Sequence, residues 1–248
     1  MNILEAIADP HLFGPWFKDA SSWAGWRTFL GALFGLPVED PALHAQCTGG
    51  RPLPTKQARE AFLVVGRRGG KSFTCALIGV YLACFRTYRL APGETGIVML
   101  IASDRRQARV LFRYVRAFLE GVPMLRALVV NVTAETIELA NEINIEVHTC
   151  SYRSVRGYTV VAALCDEISF WRTEESANPD SEILAALKPA MATIPDALLL
   201  CLSTPYARRG VLWSAYRQHF GKEGAVFVWQ AGTRTMNPSV PQPLIDGA

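Results

Sequence analysis

The chain has 248 residues, half of them apolar and 19% charged, with a formal net charge of +3. Such a composition excludes a disordered chain and suits one α/β domain, or one domain plus an appendage. The small positive balance does not by itself require a nucleic-acid partner, although Arg supplies most of the basic residues and its planar fork suits phosphate.

Residues 1–55 differ in character from the rest of the chain, with three of the six Trp (Trp16, Trp23, Trp26) in "FGPWFKDASSWAGWRTFLGALFG" and then a Gly/Pro-punctuated "TGGRPLPT". This reads as a helical N-terminal appendage and linker, its aromatic residues forming local core rather than a base-stacking platform. The early acidic residue and the lack of a basic stretch give no secretory signal. The longest apolar run, Cys75 to Phe85, is too short to cross a bilayer, so a soluble protein with no membrane partner is expected. Six cysteines (Cys47, Cys75, Cys84, Cys150, Cys165, Cys201) form no C-x-x-C pair and are expected as reduced core residues of a cytoplasmic protein.

From Ala61 onward, short β-branched runs alternate with helical patterns, as in a mostly parallel sheet with crossover helices. The expected strands are Phe62–Val65, Ile97–Ala102, Val160–Cys165, Leu198–Leu202 and Ala225–Trp229. The i, i+4 rows Val110, Tyr114, Phe118 and Leu111, Val115, Leu119 predict an amphipathic helix over Asp104–Glu120, capped by Ser103. Its Arg105, Arg106, Arg109, Arg113 and Arg116 make either a solvated face or a set of contacts to DNA backbone phosphate. Residues 129–149 alternate like a strand or hairpin insertion, and Pro189 should kink or end a helix that begins near Ser181.

The stretch "VVGRRGGKS" nearly fits the phosphate-binding pattern G-x-x-x-x-G-K-[ST], with Val65 where the first glycine belongs. An apolar strand before it and a helix-forming "FTCALIGVYLACF" after it supply the context in which backbone amides and a helix N-terminus converge on phosphate. Lys71 would reach the β- and γ-phosphates, Ser72 would ligate Mg²⁺, and Gly66 or the turn itself must supply the bend, followed by Arg67, Arg68, Gly69 and Gly70. The bland alternative is a glycine-rich turn with a chance lysine. Further on, "VVAALCDEISF" ends an apolar strand in Asp166-Glu167, where Asp166 can hold Mg²⁺ and Glu167 can deprotonate the attacking water. A third apolar run, "LLLCLSTP", ends in Ser203-Thr204, which either sense the γ-phosphate or simply terminate a strand.

The loop with arginines before Gly-Gly-Lys-Ser, the "SYRSVRGYTVVAALCDEISFW" run and the downstream "LSTP" together resemble the ATPase domain of the large terminase subunit, the motor that packages DNA into tailed-phage and herpesvirus procapsids. The resemblance covers roughly residues 53–220, and that family's loop often lacks the first glycine. It implies an α/β P-loop NTPase fold of the additional-strand class, with residues 56–235 as the ATPase domain. It also implies ATP and Mg²⁺ at Lys71 and Ser72, Asp166 on the metal, Glu167 as the base and Ser203-Thr204 as the coupling motif. By the same resemblance, Arg67 or its rival Arg68 is the loop arginine, Arg156 is an arginine finger reaching a neighbour's ATP, and Gln57 contacts adenine. Implied partners are double-stranded DNA without sequence preference, the portal protein, the small terminase subunit and further copies in a homo-oligomeric ring at the procapsid portal in the host cytoplasm. The family's nuclease domain is not in this chain, so residues 236–248 are expected as a linker toward it. Two other readings are a P-loop helicase, which would need a second motor domain, and an assembly module that binds ATP without turnover.

Overall fold

The computed structural model describes residues 1–150, 157–172 and 178–246. The first segment forms three helices, α1 (Ile3–Ala8), α2 (Ala20–Phe34) and α3 (Pro41–Thr48). A reciprocal capping box between Asn2 and Glu5 starts α1. The Asp19 carboxylate starts α2 by accepting from the Ser21 and Ser22 amides, and Gly35 at φ 64° ends it.

The remainder alternates strands and helices: β1 (Glu60–Val65), α4 (Lys71–Phe85), β2 (Gly96–Ala102), α5 (Arg105–Gly121), α6 (Pro123–Arg126), β3 (Val129–Val132), β4 (Thr136–Leu139), β5 (Ile143–Thr149) and β6 (Thr159–Asp166). After these come α7 (Pro179–Ala190), β7 (Leu198–Ser203), α8 (Gly210–His219), β8 (Val226–Ala231), α9 (Thr233–Met236) and α10 (Pro243–Asp246). The strands form one sheet in the order β3-β4-β5-β2-β6-β7-β1-β8. From β5 to β8 in this order neighbouring strands are parallel, and β4 alone among the described strands runs against the others, antiparallel to both β3 and β5. Every residue of β2 and β7 is buried, as expected of parallel strands covered by helices on both faces.

The sheet order places β7 between β1, which leads into the Gly-rich loop, and β6, which ends in Asp166. This is the additional-strand arrangement. The five expected strands are present, with β8 starting one residue and ending two residues later than expected.

Two expectations need correction. The cap of α5 is Asp104 rather than Ser103, because the Asp104 carboxylate accepts from the amides of Arg106 (2.8 Å) and Gln107 (3.0 Å). Residues 129–149 are not merely an insertion: β3 and β4 make an antiparallel extension, but β5 pairs in parallel with β2 over its whole length. Pro189 ends its helix as expected: α7 starts at Pro179, two residues before Ser181, and stops one residue after Pro189.

The helices of residues 1–55 share one apolar core with the sheet. Phe13 packs edge-on against Phe118 of α5 (centroids 5.5 Å) and Phe85 of α4 (5.9 Å), and Phe29 meets Trp229 of β8 (5.5 Å). All six cysteines are unbridged, five of them buried. No described helix is long and apolar enough to cross a membrane.

Candidate nucleotide site

Three strands bring the singled-out residues together. In the parallel register Ser203 lies opposite Val64 and Asp166 opposite Leu202, so the carboxyl ends of β1, β7 and β6 stand side by side. This edge of an open α/β sheet is where ligands bind.

The loop between β1 and α4 turns at residues that explain its sequence. Val65 is still in the strand and fully buried. The close approach falls on Gly66, where an added Cβ would sit 2.2 Å from Thr233 Oγ1 and 3.0 Å from the Thr233 nitrogen. The first glycine of the usual pattern is therefore needed one place later. Arg68 (φ 59°) and Gly70 (φ 91°) take the left-handed conformations, and the former costs a non-glycine residue about 1–2 kcal/mol. Gly70 then caps α4 without any side-chain acceptor for the first-turn amides, which leaves a 15-residue helix N-terminus open to an anion.

Lys71 is buried, and its ammonium donates to Thr204 Oγ1 (2.7 Å) and to the carbonyls of Val65 (3.1 Å) and Gly66 (3.2 Å). It also lies 3.3 Å from Glu167 Oε1. Glu167 succeeds β6 in a left-handed conformation (φ 49°). Its Oε2 accepts from Ser203 Oγ (3.0 Å) and the Thr204 amide (3.0 Å). Ser203 Oγ accepts in turn from the Ser169 amide (3.3 Å), so the ends of β6 and β7 are laced together.

Asp166 is nearly inaccessible, and Ser72 Oγ donates to its Oδ2 at 2.7 Å. Burial pushes its carboxyl up from the usual 3.8 to about 6, against the opposing hydrogen bond from Ser72. Among the described residues its Oδ1 finds no hydrogen-bond partner. A buried carboxylate oxygen left without a donor, beside a serine hydroxyl, is an all-oxygen donor set that fits a hard divalent cation such as Mg²⁺.

Lys71, Ser72, Asp166, Glu167, Ser203 and Thr204 thus form one contiguous network, with Gly66, Gly69 and Gly70 in the loop beside it. Arg67 and Arg68 expose their side chains at the loop tip. Gln57 is not part of the cluster. It lies at the amino end of β1, a strand about 20 Å long, where its side chain donates to the Asp196 carbonyl (3.0 Å) and accepts from Arg86. Arg156 lies outside the described residues.

Sequence reasoning missed Trp26, Thr233 and Asn237, which bond the loop carbonyls. A Thr and an Asn four residues apart in "TRTMN" carry no motif, so only the fold reveals them. It also missed a cavity of about 500 Å³ beyond the network, lined in part by Ser169, Pro205, Tyr206, Arg208 and Trp213. The segment after Thr204 forms one wall of it.

No family model and no curated protein matches the chain. Among solved structures, the ATPase domain of the Thermus phage P74-26 large terminase is similar at a TM-score of 0.55 and 15% identity, over 81% of this chain and 88% of that one. The bacteriophage HK97 large terminase is similar at a TM-score of 0.58 and 16% identity, over 87% of this chain and 48% of that one. The chain has the fold of phage large terminase ATPase domains.

Proposed function

We propose that the chain is an ATP-hydrolysing motor domain of a DNA-packaging terminase large subunit. The observation that carries this reading is the junction of three sequence-distant motifs: Lys71 bonded to Thr204 and paired with Glu167, and Ser72 bonded to Asp166.

On this reading the amides of the loop and of the first turn of α4 take the phosphates. Lys71 turns from Thr204 and Glu167 to the β- and γ-phosphates, which frees Glu167 Oε1. Glu167, still oriented by Ser203 and the Thr204 amide, accepts a proton from water as that water's oxygen bonds the γ-phosphorus and the bond to the ADP oxygen breaks. Mg²⁺, when held by Ser72 and Asp166, supplies positive charge against the phosphate oxygens. Arg67 or Arg68 adds charge from the loop tip, and Arg156 is assigned as a finger for a neighbouring copy.

Loss of the γ-phosphate lets Lys71 return to Thr204. The same stretch of chain runs directly into Pro205–Arg208 along the cavity wall, so the change reaches the surface there. The proposed partners are double-stranded DNA bound through its backbone, the portal protein, the small terminase subunit and further copies in a ring.

The test is Glu167→Ala. ATP binding in the presence of Mg²⁺ is expected to persist while turnover falls by about 10²–10⁴-fold, the usual worth of a general base. Unchanged turnover would remove Glu167 from its role, and lost binding would point to a collapsed site.

A further inference from the structure

The carbonyl groups of three successive loop residues are held by side chains from outside the loop. Thr233 Oγ1 donates to the Arg67 carbonyl, Asn237 Nδ2 to that of Arg68 and Trp26 Nε1 to that of Gly69, each at 2.9 Å. Trp26 belongs to α2, Thr233 opens α9 and Asn237 closes it. In a trans peptide the C=O and the following N–H point in opposite directions. Fastening these three oxygens outward therefore turns the amides of Arg68, Gly69 and Gly70 to the other side. The Gly69 amide closes a turn on the Gly66 carbonyl (3.3 Å), and those of Arg68 and Gly70, which find no partner among the described residues, are left to an anion.

The packing around these bonds leaves no slack. A Cβ on Gly66 would meet Thr233 Oγ1 at 2.2 Å, one on Gly25 of α2 would meet the Thr235 carbonyl at 2.4 Å, and one on Gly70 would meet Trp26 Nε1 at 3.1 Å. Met236 is buried, and a Cβ added to Gly25 would lie 3.3 Å from its sulfur and one added to Gly69 3.8 Å from its Cβ. The loop is thus in direct contact with both α2 and α9, and α2 with α9.

We propose that Trp26, Thr233 and Asn237 are positioning residues that preset the phosphate loop, and that the docking of α9 and the occupancy of the loop are thermodynamically linked. The linkage rests on the proposed nucleotide site; the presetting does not. Because α9 directly succeeds β8, whatever pulls on the chain after the sheet acts on the loop. By reciprocity, an occupied loop holds α9 more firmly.

The experiment compares the full chain with Thr233→Val/Asn237→Ala and with Thr233→Ser. It reads amide hydrogen exchange by mass spectrometry without nucleotide, and then the dissociation constant for ATP with Mg²⁺. Thr233 and Asn237 are only partly buried, so the double variant is expected to fold. Its loop peptide spanning residues 66–72 should exchange about tenfold faster and its ATP affinity fall about tenfold, with exchange in β2 and β7 unchanged. Thr233→Ser keeps the donor and should match the parent in both. ATP with Mg²⁺ should slow exchange over residues 233–240 of the parent.

Unaltered loop exchange in the double variant, or a Thr233→Ser variant as impaired as Thr233→Val, would overturn the presetting. Exchange over residues 233–240 that ignores a bound nucleotide would overturn the linkage. A parent chain that binds no ATP would defeat the linkage together with the proposed nucleotide site, while the nucleotide-free exchange still decides the presetting.

Discussion

Glu167 and Arg68 both hold a left-handed backbone that non-glycine residues avoid, and both border the proposed nucleotide site. Such strain persists only where the surroundings over-determine it. At Glu167 the restraint is visible: two donors grip Oε2 and Lys71 faces Oε1. Beside it, Asp166 carries a different tension. Its carboxyl titrates near 6 because it is buried, so the folded state keeps the proton better than the unfolded chain does. The stability this contributes is full below the unfolded value near 3.8 and is lost as pH rises through about 6. In metal-free buffer, wild-type unfolding free energy should therefore fall relative to Asp166→Asn by about 2 kcal/mol between pH 4 and pH 7, measured by urea denaturation with EDTA. Parallel profiles would show that the carboxyl is not held neutral by its surroundings. The residues legible in the sequence were those whose chemistry is local to a strand end: Lys71, Ser72, Asp166, Glu167, Ser203 and Thr204. Those that escaped, Trp26, Thr233 and Asn237, act across 43, 166 and 169 residues of chain, a range at which no motif operates.

The buried parallel strands announced themselves as continuous apolar runs, since both of their faces are covered. β4 and β5 lie nearer the sheet's edge and alternate buried with less buried positions, which left their pairing open. Nothing in that alternation distinguishes a free hairpin from a strand that also pairs in parallel with β2. On α5, Leu111, Val115 and Leu119 are buried as their row implied, whereas Tyr114 of the other row is exposed. Arg105, Arg106, Arg109 and Arg113 lie exposed, and Arg116 pairs with Glu120. The helices of residues 1–55 are bound into the core through aromatic contacts rather than laid on it. Phe13→Ala removes a fully buried ring that touches Phe85, Trp16 and Phe118. It should cost about 3–5 kcal/mol of unfolding free energy in a denaturant titration. A loss below about 1 kcal/mol, the scale of a surface change, would mean that this segment folds apart from the sheet.

For the molecule as a whole, the sheet supplies a platform and the site is a product of its topology. Only because β7 lies between β1 and β6 does Thr204 stand within reach of both Lys71 and Glu167. In the proposed motor the same topology would let ATP be bound from β1, hydrolysed from β6 and its loss reported through β7. If copies assemble and Arg156 serves a neighbour, turnover per chain should rise with protein concentration; strictly linear total turnover would favour Arg67 or Arg68 acting within one chain. The most direct measurement is steady-state ATP hydrolysis by the purified chain with Mg²⁺, beside Lys71→Ala. We expect Mg²⁺-dependent turnover that the substitution abolishes. Turnover equal in the two proteins, or a parent chain that neither binds nor hydrolyses ATP, would contradict the assignment of this network as an ATPase site.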